Sequence, residues 1–168
     1  LSGDVISDEA FIGGPTDIGY KFHLLGDAAF ERTGTTSQTM VVYRNGNGNV
    51  GTISTSGSST AYNTSSDYRL KENVVDLTGA TERLKQLEPK RFNFIADADT
   101  TVDGFLAHEA QAVVPEAVTG THNEVDDNGN AVMQGIDQSK LVPLLTAALQ
   151  EAIAKIEALE ARVTALES

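Results

Sequence analysis

The sequence has no cysteine. Disulfides, thiolate catalysis and cysteine-based zinc sites are therefore excluded. Tryptophan is also absent, and aromatics make up only 6% of the 168 residues, against 40% hydrophobic residues in all. With so few large rings, a monomeric core would be thin, which points to burial between subunits. Positive charge is scarce: 12 Lys and Arg stand against 24 Asp and Glu, a net charge of −12. Such a surface repels phosphate backbones and anionic lipid, so neither nucleic acid nor a membrane is an expected partner. No apolar run approaches transmembrane length, and the N-terminus lacks the basic and apolar regions of a signal peptide. The chain opens at Leu1 rather than Met, as expected of a fragment of a longer protein or of a processed one.

What is present falls into two parts. Residues 1–65 are rich in Gly, Ser and Thr and read as short β segments and turns. Tyr20 to Leu25 alternates. Thr39 to Arg44 is a β-branched run, followed by the turn signal Asn45-Gly46-Asn47-Gly48-Asn49 and then by Val50 to Ser54. That pattern predicts a hairpin. Ser56 to Thr60 is expected to be flexible or extended. Gly46, Gly48 and Gly51 match the spacing of a dinucleotide fingerprint, but a strand follows instead of a helix, so no nucleotide site is assigned. Asn63-Thr64-Ser65 matches a glycosylation acceptor, which has meaning only in a secreted eukaryotic protein.

The composition shifts at Ser65-Ser66-Asp67-Tyr68-Arg69-Leu70-Lys71. A boundary between two units belongs there. Ser66 becomes a nucleophile only if a base removes its proton, and Lys71 is the candidate base. A lysine base must first be deprotonated, which burial or a neighbouring cation such as Arg69 favours; Asp67 would oppose it if its carboxylate faced the ammonium. Residues this far apart share no face of a helix or strand, so the pair needs a bend or a partner from another subunit.

The run Ser66-Asp67-Tyr68-Arg69-Leu70-Lys71-Glu72-Asn73-Val74 resembles the start of the C-terminal intramolecular chaperone domain of phage endosialidases and tail-fibre or tailspike proteins. Similar domains occur in membrane-bound myelin regulatory factors. Gly104 to Gln111, Pro115 to Val118 and Gly135 to Leu145 carry the resemblance onward in the same order. It implies a domain that trimerises, helps an upstream fibre of the same polypeptide to fold, and then cuts itself off before the serine. Here the cleaved bond would be Ser65–Ser66, with Ser66 and Lys71 as the catalytic pair. The setting implied is a virion tail fibre or tailspike assembled in the host cytoplasm, with the chaperone part released or retained.

Downstream of Ser66 the patterns are mixed. Thr78 is the expected cap of a helix running to Leu87 and stopped by Pro89, with Leu77, Leu84 and Leu87 on its apolar face. Arg91 to Ile95 alternates as a strand with Phe92 and Phe94 on one side. Ala96 to Thr101 reads as a polar connector, Val102 to Ala107 as a second strand, and His108 to Val114 as a helix ended by Pro115. Val125 to Met133 predicts a hairpin turning at Asn128-Gly129. Asp126, Asn128 and Gly129 fit the start of a calcium loop, but Gly135 stands where its closing glutamate belongs. Asp97, Asp99 and Asp103 read as a solvated loop. No metal and no cofactor is assigned. His23, His108 and His122 are read as making ordinary polar contacts, although His108 sits in a block that carries the resemblance. Glu109, in the same block, is a candidate either to orient Lys71 or to cap a helix.

Asp137 or Ser139 opens the last helix, with Pro143 in its first turns. A heptad places Val142, Leu149, Ile156 and Val163 at a, and Leu145, Ala152, Leu159 and Leu166 at d. Lys155 and Arg162 fall at g, and Glu160 and Glu167 at e of the next heptad, which are the positions for pairs between parallel helices. Each such exposed pair contributes only ~0.5 kcal/mol, so it sets register more than stability. Ile153 at e widens the apolar face. β-branched a with Leu at d leans towards two strands, whereas the resemblance implies three.

The expected fold class is α+β: an intertwined homotrimer with a β-rich stalk segment over 1–65, a small mixed globular part, and a parallel coiled-coil helix over 139–168. Residues 66–168 form the expected chaperone and auto-processing domain, acting as an autocatalytic serine endopeptidase. The alternatives are a structural trimerisation module without cleavage and a receptor-binding fibre tip.

Overall fold

The structure, a computed structural model, describes residues 28–167. The expectations for Tyr20 to Leu25 and for His23 lie outside these residues. The chain divides into two compact units, Leu1–Glu72 and Asn73–Ser168.

In the first unit, β1 (Gln38–Asn45), β2 (Gly48–Ser56) and β3 (Ser59–Thr64) form one antiparallel sheet in the order β1-β2-β3. Asn45 pairs with Gly48 across a tight turn, and the Asn45 side chain accepts a hydrogen bond from the Asn47 backbone N–H at 2.9 Å. Gly48 adopts φ 94°, a conformation that side chains resist, which is why the asparagine-glycine run turns here. The predicted first hairpin is present. Of the two readings for Ser56 to Thr60, the extended one holds at both ends: Ser56 pairs with Ser59 across Gly57-Ser58, with Gly57 at φ 56°, and the chain returns as a third strand. None of the sheet's residues is buried in the single chain. Such a sheet has no core of its own, and short strand sets of this kind rarely stand alone.

The second unit contains α1 (Ala80–Leu84), β4 (Lys90–Phe94), β5 (Asp97–Gly104), α2 (Ala107–Val113), β6 (Val118–Thr119), β7 (Gly135–Ile136) and α3 (Val142–Glu167). β4 and β5 form a hairpin, and β6 pairs with β7. Phe92 and Phe94 share a face, edge to face with centroids 5.3 Å apart. The polar connector expected at Ala96 to Thr101 is instead mostly strand. Asn93 Nδ2 donates to the Ala98 carbonyl and the Thr101 hydroxyl, and Arg91 grips Asp103 across the strands at 2.7 and 2.9 Å. The second strand ends at Gly104 rather than Ala107, because Leu106 already serves as the N-cap of α2. The turn at Asn128-Gly129 is present. Asp126 closes it by accepting from the Asn128 and Asn130 backbone N–H groups, and Val125 bridges to Ala131.

The core is small: Ala80, Ala110, Val114, Ala117, Val118, Leu141, Leu144 and Ala148 are the buried residues among those described. α1 is shorter than expected and is not capped by Thr78. Gly79 turns the chain at φ 68°, and the orphan N–H groups of Ala80 and Thr81 donate to Glu151 of α3, each at 2.8 Å. The Thr81 hydroxyl donates to the same carboxylate at 2.6 Å. A carboxylate that satisfies two unpaired helix donors and a hydroxyl outcompetes a local threonine cap. Leu77 consequently lies outside the helix and is 44% exposed, while Leu84 and Leu87 pack on the core as expected.

Asp137 opens the C-terminal segment, accepting from both the backbone N–H and the hydroxyl of Ser139. A short 3-10 turn over Gln138–Leu141 leads into the 26 residues of α3. This helix carries two apolar faces. Leu144 and Ala148 continue from Leu141 into the core, with Glu151 next on the same side. The a and d residues lie elsewhere on the helix, and all but Ala152 are exposed, from Leu145 at 47% to Leu166 at 85%. From Ile153 to Glu167 every residue is exposed.

Hydrogen bonds from Thr81 and Ala80 hold the Glu151 carboxyl at about 2, below its ordinary 4.5. A depressed folded-state value contributes stability that is full above the unfolded value and is lost as pH falls through the folded one. Acid titration followed by circular dichroism should therefore show a loss of stability between about pH 4.5 and 2, and Glu151→Ala should melt lower at neutral pH and lack that component. Leu144→Ala should cost about 2–5 kcal/mol in urea unfolding at fixed chain concentration, since it empties a buried site.

Candidate functional site

The residues before and after the Ser65–Ser66 bond are held by different devices. Upstream, Ser65 continues the β2–β3 ladder. Its backbone N–H donates to the Val50 carbonyl at 3.2 Å, and its hydroxyl donates to the Asn49 carbonyl at 3.0 Å. The first half of the peptide link is thus fixed to the sheet by main-chain acceptors.

Downstream, the chain turns sharply through a 3-10 helix over Tyr68–Leu70. Leu70 N–H donates to the Asp67 carbonyl and Lys71 N–H to the Tyr68 carbonyl, both at 3.1 Å. Asp67 caps this turn: its Oδ1 accepts from the Arg69 backbone N–H at 2.9 Å. The same carboxylate takes the Arg69 guanidinium in a two-pronged grip, Nε at 2.9 Å and Nη2 at 2.8 Å. The turn supplies the bend that the sequence spacing demanded. Lys71 comes back over Ser66, and its Nζ donates to Ser66 Oγ at 2.8 Å. All of these side chains are exposed in the single chain.

The electrostatics differ from the sequence expectation. Arg69 is not a free cation beside Lys71, because its charge is matched by Asp67. Asp67 is not a free anion facing the ammonium either. The Arg69 side chain, then its backbone N–H, holds the Asp67 carboxyl below its ordinary value, with a smaller contribution from the Lys71 charge; Asp67 in turn raises Arg69. Ser65, Ser66, Asp67, Arg69 and Lys71 are therefore brought together within the first unit.

The other two candidates lie in the second unit. Glu109, in the first turn of α2, sits 3.5 Å from Lys90 Nζ, and Lys90 also pairs with Glu88. His108 stacks on His122 with ring centroids 4.3 Å apart. The Ser65–Asn49 clamp was not legible in advance, because it depends on the pairing of β3 with β2 rather than on any local pattern.

Residues 66–119 match the family described as the chaperone of endosialidase. The family is also named as a peptidase, S74. Its match opens on Ser66 and takes in Lys71, the Gly104–Gln111 block and Pro115–Val118. The Gly135–Leu145 run and α3 lie beyond it. The resemblance read from the sequence is thus borne out over residues 66–119. A search of curated proteins gave no match.

The Asp67–Arg69 grip has a direct spectroscopic consequence. In a Ser66→Ala chain, the Asp67 carboxyl carbon should titrate below the ordinary 3.8, and Arg69→Ala should return it towards that value. An Asp67 midpoint unchanged by Arg69→Ala would contradict the grip.

Proposed function

We propose that residues 66–168 are an intramolecular chaperone that assembles three chains, supports folding of the upstream fibre, and then severs itself at Ser65–Ser66. The observation that carries this is the contact between Lys71 Nζ and Ser66 Oγ at the residue where the chaperone-of-endosialidase match opens. The setting proposed is a phage tail fibre or tailspike.

The chemistry follows from the groups at the site. As placed, Nζ donates to the hydroxyl oxygen. With the amine neutral the same contact reverses, and the hydroxyl donates its proton to Nζ. Ser66 Oγ then adds to the Ser65 carbonyl carbon. The carbon–nitrogen bond breaks, the Ser66 nitrogen takes the proton from Lys71, and an ester joins the two residues. Water hydrolyses that ester, leaving a carboxylate on Ser65 and a free amine and hydroxyl on Ser66. Nucleophile and target are neighbours in the chain, so proximity supplies much of the rate and a single turnover suffices.

Assembly is supported by α3. Among the described residues its a/d stripe is exposed apart from Ala152, and near the start of the helix Leu145 borders a largely apolar groove of about 290 Å³ lined by Leu84, Leu87, Pro89, Phe105, Gln138 and Leu141. Covering the stripe with two further copies removes apolar surface from water and brings g and e charges of opposite sign together. Because the site is exposed in one chain, neighbouring chains are also the proposed means of drying it, which disfavours an ammonium charge.

Mass spectrometry of the assembled protein should find a fragment beginning at Ser66. Ser66→Ala and Lys71→Ala should stay whole while sedimenting as trimers, and Ile156→Asp should abolish the trimer. An intact native trimer would favour a structural trimerisation module without cleavage.

A further inference from the structure

Accepting the cleavage reading above, there remains the question of what holds Lys71 over Ser66. A five-residue separation on an exposed segment does not fix two side chains at 2.8 Å by itself. The segment has no buried residue to anchor it, since every position from Ser56 to Gly79 is exposed. Tyr68 and Leu70 are 80% and 72% exposed, so the turn is not held by packing. What remains is polar. One carboxylate, Asp67, accepts three hydrogen bonds from one residue, Arg69.

We propose that Asp67 and Arg69 are positioning residues for the Ser66–Lys71 pair. Asp67 caps the 3-10 turn that doubles the chain back. Arg69 locks the capping carboxylate in place and satisfies both of its oxygens. The grip also occupies the one anion next to the pair within this turn, so Lys71 is left to the serine instead of forming an ion pair with Asp67. Glu72, which follows Lys71, and Asp76 are the other acidic groups of this exposed segment. Neither Asp67 nor Arg69 touches the reacting bond. Their effect passes through the position of Nζ, and a misplacement of about 1 Å in a reacting geometry costs on the order of a hundredfold in rate.

The test uses the full chain and follows the first-order appearance of the Ser66-starting fragment by intact mass, with sedimentation to verify assembly. Asp67→Ala should slow cleavage by about a hundredfold with the trimer intact. Asp67→Asn should recover part of the rate, because its amide oxygen still accepts from the Arg69 backbone N–H while the two-pronged guanidinium grip is lost. Arg69→Ala should slow cleavage and move its pH profile to higher pH, since the freed Asp67 carboxylate then favours the charged amine. In a Ser66→Ala background, Asp67→Ala should speed hydrogen exchange at the Leu70 and Lys71 amides. Cleavage of Asp67→Ala at the native rate, equally slow Asp67→Ala and Asp67→Asn chains, or unchanged exchange would overturn the inference while leaving the Ser66–Lys71 pair standing. A native chain that stays whole after assembly would instead count against the cleavage reading, and with it against any positioning role.

Discussion

The constraint on which the rest depends is an apolar face that the described residues leave open to solvent. The core of the second unit is built mainly from alanine and valine, with Leu141 and Leu144 as its largest buried side chains. The large aliphatic residues of α3 lie mostly on its other side, and Leu149, Ile156, Leu159 and Val163 are more than half exposed. Burying each more fully would contribute roughly 1–2 kcal/mol, given the area still open. Copies of a chain with a net charge of −12 repel one another, so the proposed assembly requires that burial to prevail. The sheet of the first unit has the same deficit, with no buried residue of its own.

Glu151 connects this constraint to the small domain. One helix carries the free stripe and also, through a single carboxylate, the cap of α1. The helix that bears the stripe therefore also holds the first turn of the small domain. At the residues where the family match opens the logic is local. A polar turn held by Asp67 and Arg69 brings an amine to a hydroxyl without any core beneath it.

Periodicity made the legible parts legible. The hairpin at Asn45 to Gly48, the Phe92/Phe94 strand, the turn at Asn128-Gly129 and the long last helix each carry a local signal in spacing or turn chemistry. The pairing of Ser66 with Lys71 was legible as a requirement for a bend, and the capping aspartate supplied it. What escaped the sequence is long-range or hidden in polar composition. The cap of α1 comes from a residue 70 positions away, which no local rule reaches. β3 is a run of Ser, Thr and Asn around Ala61 and Tyr62, and only its pairing with β2 makes it a strand. Leu144 and Ala148 sit off the a/d seam, so a heptad reading leaves their burial unexplained.

The most direct test of the central claim is the yield of the fragment that begins at Ser66 as a function of chain concentration. If cutting waits for assembly, the yield should vanish at dilutions where the chain sediments as a monomer and rise through the range where trimers form. Cutting that proceeds equally well in dilute monomers would contradict the account.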